Sequence, residues 1–133
     1  NALWFIRASH TKISAVNLVK RVNYEEANNI HEVKVVFDTD YNTLFLSREP
    51  IPSKFMGDKS FPYYIQVCVF PFTYESLQDY TALDSTPLEI IESIDMLRIL
   101  ENGYKVFLVQ TKHFSHAVDT KKDLFKVAKY IRK

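Results

Sequence analysis

The chain has 133 residues, an apolar fraction of 47% and a formal net charge of +1 at pH 7. That length is typical of one domain, and a charge near zero gives no general argument for a nucleic-acid partner. Only two glycines and one cysteine occur, which excludes a glycine-rich phosphate loop and an internal disulfide. No apolar run reaches about 18 residues, so the sequence predicts no contact with a membrane interior.

The first half of the chain predicts a strand, a helix and a hairpin. Ala2–Ala8 is a short apolar run that favours a strand. Apolar residues then recur every three positions, which indicates an amphipathic helix over residues 12–27. They are Ile13, Val16, Val19 and Val22. His31–Phe37 and Thr43–Ser47 are rich in β-branched and apolar residues and predict two strands joined by a polar turn.

The second half predicts two strands and two helices. Tyr63–Phe70 has one polar residue in eight and is typical of a strand buried on both faces, with Cys68 as a small buried hydrophobe. Thr86-Pro87-Leu88-Glu89 is a capping box, which predicts a helix from Thr86 to Glu101 before Asn102-Gly103. Tyr104–Gln110 predicts a strand, and Thr120 begins an amphipathic C-terminal helix.

The predicted order is therefore β-α-β-β-β-α-β-α. This pattern indicates a single α/β domain over residues 1–133, with a central sheet and helices packed on its faces. Because the first residue is Asn rather than Met, we interpret the domain as one cut from a longer protein.

Candidate catalytic groups are few. His113 and His116 could share a metal ion, but zinc sites need three or four ligands, so two surface histidines are favoured. Asp38 and Asp40 lie in a segment that resembles the Asp-x-Asp-x-Thr motif of the haloacid dehalogenases, except that Thr43 comes one residue late. A polar hairpin turn is favoured there. The sequence thus predicts no catalytic residue, no cofactor and no metal.

Two alternatives involve nucleic acid. The order α-β-β-β-α-β of residues 12–110 resembles the core of the restriction-endonuclease-like nucleases, with Asp38 or Asp40 as an acid. The third strand, around Ile65–Cys68, has no carboxylate and no lysine, which implies a degenerate relative. A lysine stripe on the C-terminal helix offers contacts to phosphate without sequence preference. It consists of Lys122, Lys126, Lys129 and Lys133.

With one strand left out, the predicted order also resembles that of the BRCT domain, β-α-β-β-α-β-α. Ala2–Ala8 and residues 12–27 stand for its first strand and helix, and Asn28-Asn29 for its usual Gly-Gly. Residues 50–85 form a long insertion in this comparison. Within that family, the sequence most resembles the divergent BRCT-like domains of yeast silencing and replication scaffold proteins.

The function favoured by this resemblance is a non-catalytic protein–protein interaction domain of a nuclear or chromatin-associated scaffold. The expected partner is another protein or peptide, with nucleic acid as an alternative and no membrane, and the expected location is intracellular and nuclear. The candidate partner-binding residues are Trp4, Arg7, Ser9 and Thr11. Ser9 or Thr11 would hold the phosphate that phosphate-binding members of the family recognise.

Overall fold

The structure, a computed structural model, describes residues 13–54, 61–113, 118 and 121–131. Its strands are β1 (Ile13–Val22), β2 (Lys34–Phe37), β3 (Thr43–Ser47), β4 (Tyr63–Val67) and β5 (Lys105–Gln110). Its helices are α1 (Tyr24–Ala27), α2 (Tyr74–Thr81), α3 (Pro87–Glu92), α4 (Met96–Glu101) and α5 (Lys121–Ile131).

The five strands form one mixed sheet in the order β3-β2-β4-β1-β5. The interior strand β1 runs antiparallel to β4 and parallel to β5, and β2 and β3 form an antiparallel hairpin. The hairpin turn reaches across to β5, where the Leu108 N–H donates to the Tyr41 carbonyl at 2.8 Å. The predicted α/β class, with a central sheet and helices packed on it, is confirmed.

The predicted helix over residues 12–27 is wrong, because residues 13–22 form strand β1. Neighbouring residues of β1 point to opposite faces of the sheet, yet Ala15, Val16 and Asn17 are all fully buried. A strand buried on both faces permits an apolar residue at any spacing, so the three-residue repeat does not discriminate it from a helix. The many β-branched side chains favour the strand. Within residues 13–27, only the four residues of α1 are helical, and a capping box of Asn23 and Glu26 begins that helix.

The predicted single helix from Thr86 to Glu101 is two helices, α3 and α4. Ser93 separates them in the left-handed conformation, with φ 54°. The predicted helix start is confirmed, since the Glu89 carboxylate accepts from the Thr86 N–H at 3.1 Å. The predicted end is confirmed at Gly103, whose φ of 76° completes a Schellman cap. Tyr104 N–H donates to Ile99 and Gly103 N–H to Leu100.

The main core lies between the sheet and the segment formed by the α3–α4 link and α4. Its buried members come from the strands and from the segment that includes the α3–α4 link. They are Ala15, Val19, Val35, Leu46, Ile94, Met96, Leu97, Ile99, Val106 and Leu108. A second, smaller cluster packs α1 against β4. The link between α3 and α4 is thereby fixed over one edge of the sheet.

The predicted strand Tyr63–Phe70 is too long, because its last three residues lie outside β4. Strand β4 ends at Val67, and its burial alternates along the strand. Cys68 follows the strand and is exposed, so it is not a buried hydrophobe.

The predicted strand Ala2–Ala8 lies outside the described residues, and the single domain over residues 1–133 stays a prediction. Within the part of the chain that the structure describes, no helix is long and apolar enough to cross a membrane.

Candidate functional site

A pocket of about 520 Å³ lies at the edge of the sheet where β3 and β4 end. Both strands run antiparallel to β2, so their last residues meet the residues that precede β2. The α3–α4 link forms the opposite wall. The polar lining residues are His31, Arg48, Gln66, Cys68, Ser93 and Asp95. The volume lies within the range of small-molecule sites.

Arg48 is the arginine among the described residues that line this pocket, and its side chain is held in place. Its Nε donates to the Glu92 carbonyl at 2.8 Å and its Nη2 to the Ser93 carbonyl at 3.0 Å. Nη1 lies 3.4 Å from the carbonyls of Ile30 and His31. These acceptors are backbone oxygens, including the last carbonyls of α3, where a cation is favoured. They orient the guanidinium without cancelling its full charge.

Glu92 fixes the backbone from which Arg48 extends. One carboxylate oxygen accepts from the Ser47 hydroxyl at 2.9 Å, and the other from the Arg48 backbone N–H at 2.8 Å. Helix α3 is thereby joined to the end of β3. Bonds between a carboxylate and such donors are charge-assisted and comparatively strong.

Lys34 holds the loop on the other side of Arg48. The residue is fully buried, and its Nζ donates to the carbonyls of Asn29 and Glu32 at 2.8 and 2.6 Å. Burial lowers the pKa of Lys34, while the nearby Glu49 carboxylate acts in the opposite direction. Since the same loop supplies the carbonyls of Ile30 and His31, Lys34 stabilises the surroundings of Arg48.

Gln66 brings an amide to the pocket from strand β4. Its carboxamide oxygen accepts from the Nδ2 of Asn17 at 3.2 Å. Asn17 lies on β1 and is fully buried. The apolar wall beside Gln66 includes Ile94 and Met96. The pocket therefore combines a cation, an amide, a carboxylate at Asp95 and an apolar surface, which together suit a polar ligand with a carbon skeleton.

Asp38 and Asp40 do not form an acidic site. The Asp38 carboxylate accepts from the backbone N–H groups of Asp40 and Asn42 at 2.9 and 2.8 Å, and from the Asn42 side chain at 2.9 Å. The Asn42 side-chain bond is the main cause of the lowered pKa of Asp38. This carboxylate closes the hairpin turn, at the edge of the sheet opposite the pocket, as the polar-turn interpretation expects.

Most of the other predicted site residues are not described. Trp4, Arg7, Ser9, Thr11, Lys133 and the side chains of Lys122 and Lys126 lie outside the described residues. Lys129 is exposed on α5, and His113 is exposed after β5, while His116 is not described. Among the residues that the structure does describe, no group of three or more His, Cys, Asp or Glu side chains could hold a metal ion.

Sequence reasoning missed Arg48, Gln66 and Lys34. Gln66 carried a signal, because it is the single polar residue of the apolar run Tyr63–Phe70. A polar residue in a buried strand requires a hydrogen-bond partner or a ligand. Arg48 and Lys34 carried no such signal, since a single charged residue within or just after a predicted strand is ordinary and most such residues are exposed.

Residues 2–114 match the sequence profile of a family described as cytidylyltransferase. A 3-deoxy-manno-octulosonate cytidylyltransferase of Fusobacterium nucleatum is 35% identical over 113 residues, covering 85% of this chain and 46% of that protein. The Wolinella succinogenes enzyme of the same name is 37% identical over 112 residues, covering 83% and 46%. A solved structure of CMP:2-keto-3-deoxy-manno-octonic acid synthetase complexed with CTP superposes with a TM-score of 0.87 and 26% identity, covering 98% and 54%.

These matches correct the predicted function. The resemblance to BRCT domains is wrong, and so are the interaction scaffold, the nuclease-like domain and the protein or nucleic-acid partner. The physical reason is that the BRCT and nuclease-like orders both need a helix at residues 12–27, where the sheet has its interior strand β1. The nuclear location has no support, because these relatives come from bacteria. The chain spans about half the length of the curated relatives that it matches.

Proposed function

This chain belongs to the cytidylyltransferase family, and we propose that it provides the acceptor pocket of an enzyme that transfers CMP from CTP to a sugar acid. The acceptor class follows from the relatives named for 3-deoxy-manno-octulosonate. The choice of CTP as the nucleotide donor is supported by the related structure, which is a complex with CTP. An intracellular location is part of the proposal, since cells make and keep nucleoside triphosphates inside.

The proposed reaction is a nucleotidyl transfer. A hydroxyl oxygen of the sugar acid attacks the α-phosphorus of CTP and loses its proton. The bond between that phosphorus and the bridging oxygen of pyrophosphate breaks, and pyrophosphate leaves. The product is a CMP ester of the acid. Catalysis of phosphoryl-type transfer consists mainly of positioning and charge stabilisation, so the acceptor pocket must hold the acid in one orientation.

Arg48 is the observation that carries the proposal. A guanidinium binds a carboxylate by charge-assisted hydrogen bonds, and this one is already oriented by backbone carbonyls. The ordering cost of the side chain is therefore paid before the ligand arrives. A carboxylate distinguishes a sugar acid from a neutral sugar, so Arg48 gives the pocket its selectivity for acids.

The other lining residues fit the rest of such a molecule. Asp95 offers carboxylate oxygens to sugar hydroxyl groups, and Met96 and Ile94 offer apolar contact to the carbon skeleton. The same Asp95 charge opposes a triphosphate, which carries several negative charges. The pocket therefore fits the acceptor acid better than it fits CTP.

The test uses the natural gene product that carries this chain, with CTP and 3-deoxy-manno-octulosonate as substrates. We expect release of pyrophosphate together with a CMP ester of the acid, detected by mass spectrometry. A neutral hexose as acceptor, and ATP in place of CTP, are the matched controls and should give no product. Failure to form the ester, with no binding of the acid by calorimetry, contradicts the proposal.

A further inference from the structure

Gln66 occupies a fixed position between the sheet and the pocket. Its backbone N–H donates to the Val33 carbonyl at 2.8 Å, and it pairs with Val19 of β1. Its side chain lies on the same face of the sheet as Asn17 and Val19, because residues two apart on a strand share a face. Val19 belongs to the core under α4 and the link that precedes it. The amide thus emerges from the core side of the sheet into the pocket.

Asn17 is an unusual residue for an interior strand of a sheet. It has no exposed surface, and burying an amide costs free energy unless its groups are hydrogen-bonded. Its Nδ2 donates to Gln66 at 3.2 Å, while its Oδ1 has no partner within the described residues. An apolar residue would fill the position without that cost, so the interaction with Gln66 is the feature that distinguishes Asn17.

This interaction determines which end of the Gln66 amide is available. A carboxamide has one accepting oxygen and one donating nitrogen. Since Asn17 donates to the oxygen, the Gln66 nitrogen is left to donate. Arg48, which also lines the pocket, donates as well. A ligand rich in acceptor oxygens satisfies both groups.

We propose that Gln66 is a specificity-determining residue that donates a hydrogen bond to an oxygen of the sugar acid, and that Asn17 is the positioning residue that fixes its amide. The inference rests on the proposed function and deepens it. It assigns to β4 the recognition of an acceptor oxygen, in addition to the cation at the end of β3.

The main variant is Gln66→Glu, which keeps the side-chain shape and still accepts from Asn17. It replaces the donor in the pocket by a second acceptor with a negative charge. We expect the KM for the acid to rise about tenfold or more, with the KM for CTP and the unfolding temperature little changed. Gln78→Glu, on the exposed surface of α2, introduces the same charge at a residue that does not line the pocket and should change neither KM.

Asn17→Leu tests the positioning role. With the amide of Gln66 released, we expect the KM for the acid to rise about threefold, which is less than the loss of a whole hydrogen bond. In a Gln66→Met background, Asn17→Leu should have no further effect on that KM, so the two substitutions are not additive. If Asn17 has only a structural role, Asn17→Leu should change the unfolding temperature and leave the ratio of the KM for the acid to the KM for CTP unchanged.

The outcomes separate this inference from the proposed function. If the wild type forms the CMP ester and the KM for the acid is unchanged in Gln66→Glu and in Gln66→Met, the inference is overturned and the function stands. The Met variant covers the case in which the Glu variant does not fold. If the wild type neither forms the ester nor binds the acid, the function is overturned and the inference with it.

Discussion

Two arginines of this chain have opposite surroundings. Arg98 of α4 makes a two-point ion pair with Glu89, through Nε at 2.8 Å and Nη2 at 2.6 Å. It also donates to the Leu83 carbonyl and lies over the ring of Tyr80. Arg48 makes no such pair within the described residues, and its guanidinium donates to backbone carbonyls at the pocket.

The difference shows how the role of a partly buried arginine is inferred. A carboxylate partner cancels the charge and holds helix to helix, so Arg98 stabilises the packing around α3 and α4. Carbonyl partners orient the cation but leave most of its charge for an anion. A donor that is already ordered loses less entropy when it binds a carboxylate, so the binding free energy is larger there. We therefore expect Arg48, rather than Arg98, to bind the carboxylate of a sugar acid.

The largest expected effect follows removal of the cation at the pocket. In Arg48→Met we expect kcat/KM for the acid to fall about 100-fold, since no arginine or lysine then remains among the described residues that line the pocket. Arg48→Lys keeps the charge without the planar fork and should lose about tenfold. Steady-state kinetics with varied acid measures both. Arg98→Met is the control and should leave kcat/KM for the acid unchanged. An unchanged kcat/KM in both Arg48 variants contradicts the distinction drawn between the two arginines.

The second effect concerns stability around Arg98. Glu89→Ala removes the buried carboxylate, leaves the Arg98 charge without it and frees the Thr86 N–H. We expect the free energy of unfolding to fall by about 3 kcal/mol, measured by urea unfolding. Asp84→Ala, an exposed acid in the loop before α3, should cost less than about 0.5 kcal/mol. Equal losses in the two variants would remove the structural role assigned to this pair.

Much of the fold was predictable because local signals agreed with the final structure. Thr43–Ser47 is a strand with the predicted bounds, and Glu89 and Gly103 mark the helix ends as predicted. The failure at residues 13–22 has a physical cause. A strand with neighbours on both sides and cover on both faces has no polar face, so its hydrophobic pattern carries no period.

The pocket was not predictable from local patterns. Arg48, Gln66 and Asp95 are far apart in sequence and meet only because β3 and β4 end at one edge, under a helix link broken at Ser93. The sequence predicts a continuous helix through Ser93, since serine in the left-handed conformation is uncommon. Because the predicted helix continues through Ser93, the sequence analysis did not predict the helix link that forms one wall of the pocket.

A smaller effect is expected for Lys34, which supports Arg48 without sharing its pocket. Lys34→Met leaves the carbonyls of Asn29 and Glu32 without this donor. We expect a loss of about 2 kcal/mol in the free energy of unfolding and a rise of a few-fold in the KM for the acid. Lys112→Met, an exposed lysine beyond β5, is the matched control. A stability loss with no change in that KM would show that the loop does not control Arg48.

The smallest effect is a pH dependence that belongs to the Arg98 side of the comparison alone. The hydrogen bonds from Arg98 lower the pKa of Glu89 below its ordinary value. A carboxylate whose pKa is lower in the folded state stabilises the fold fully above the unfolded value, about pH 4.3. That contribution is lost as the pH falls through the folded pKa, because the unfolded chain binds the proton first.

We therefore expect the urea midpoint of the wild type to fall between pH 6 and pH 3 by more than that of Glu89→Gln, which has no carboxyl group to titrate at this position. Arg48→Met should keep the wild-type pH dependence, because the guanidinium of Arg48 is held by carbonyl oxygens that do not titrate. Parallel curves for the wild type and Glu89→Gln would show that the Arg98 pair does not contribute to acid sensitivity. The two arginines would then differ in their partners but not in their coupling to pH.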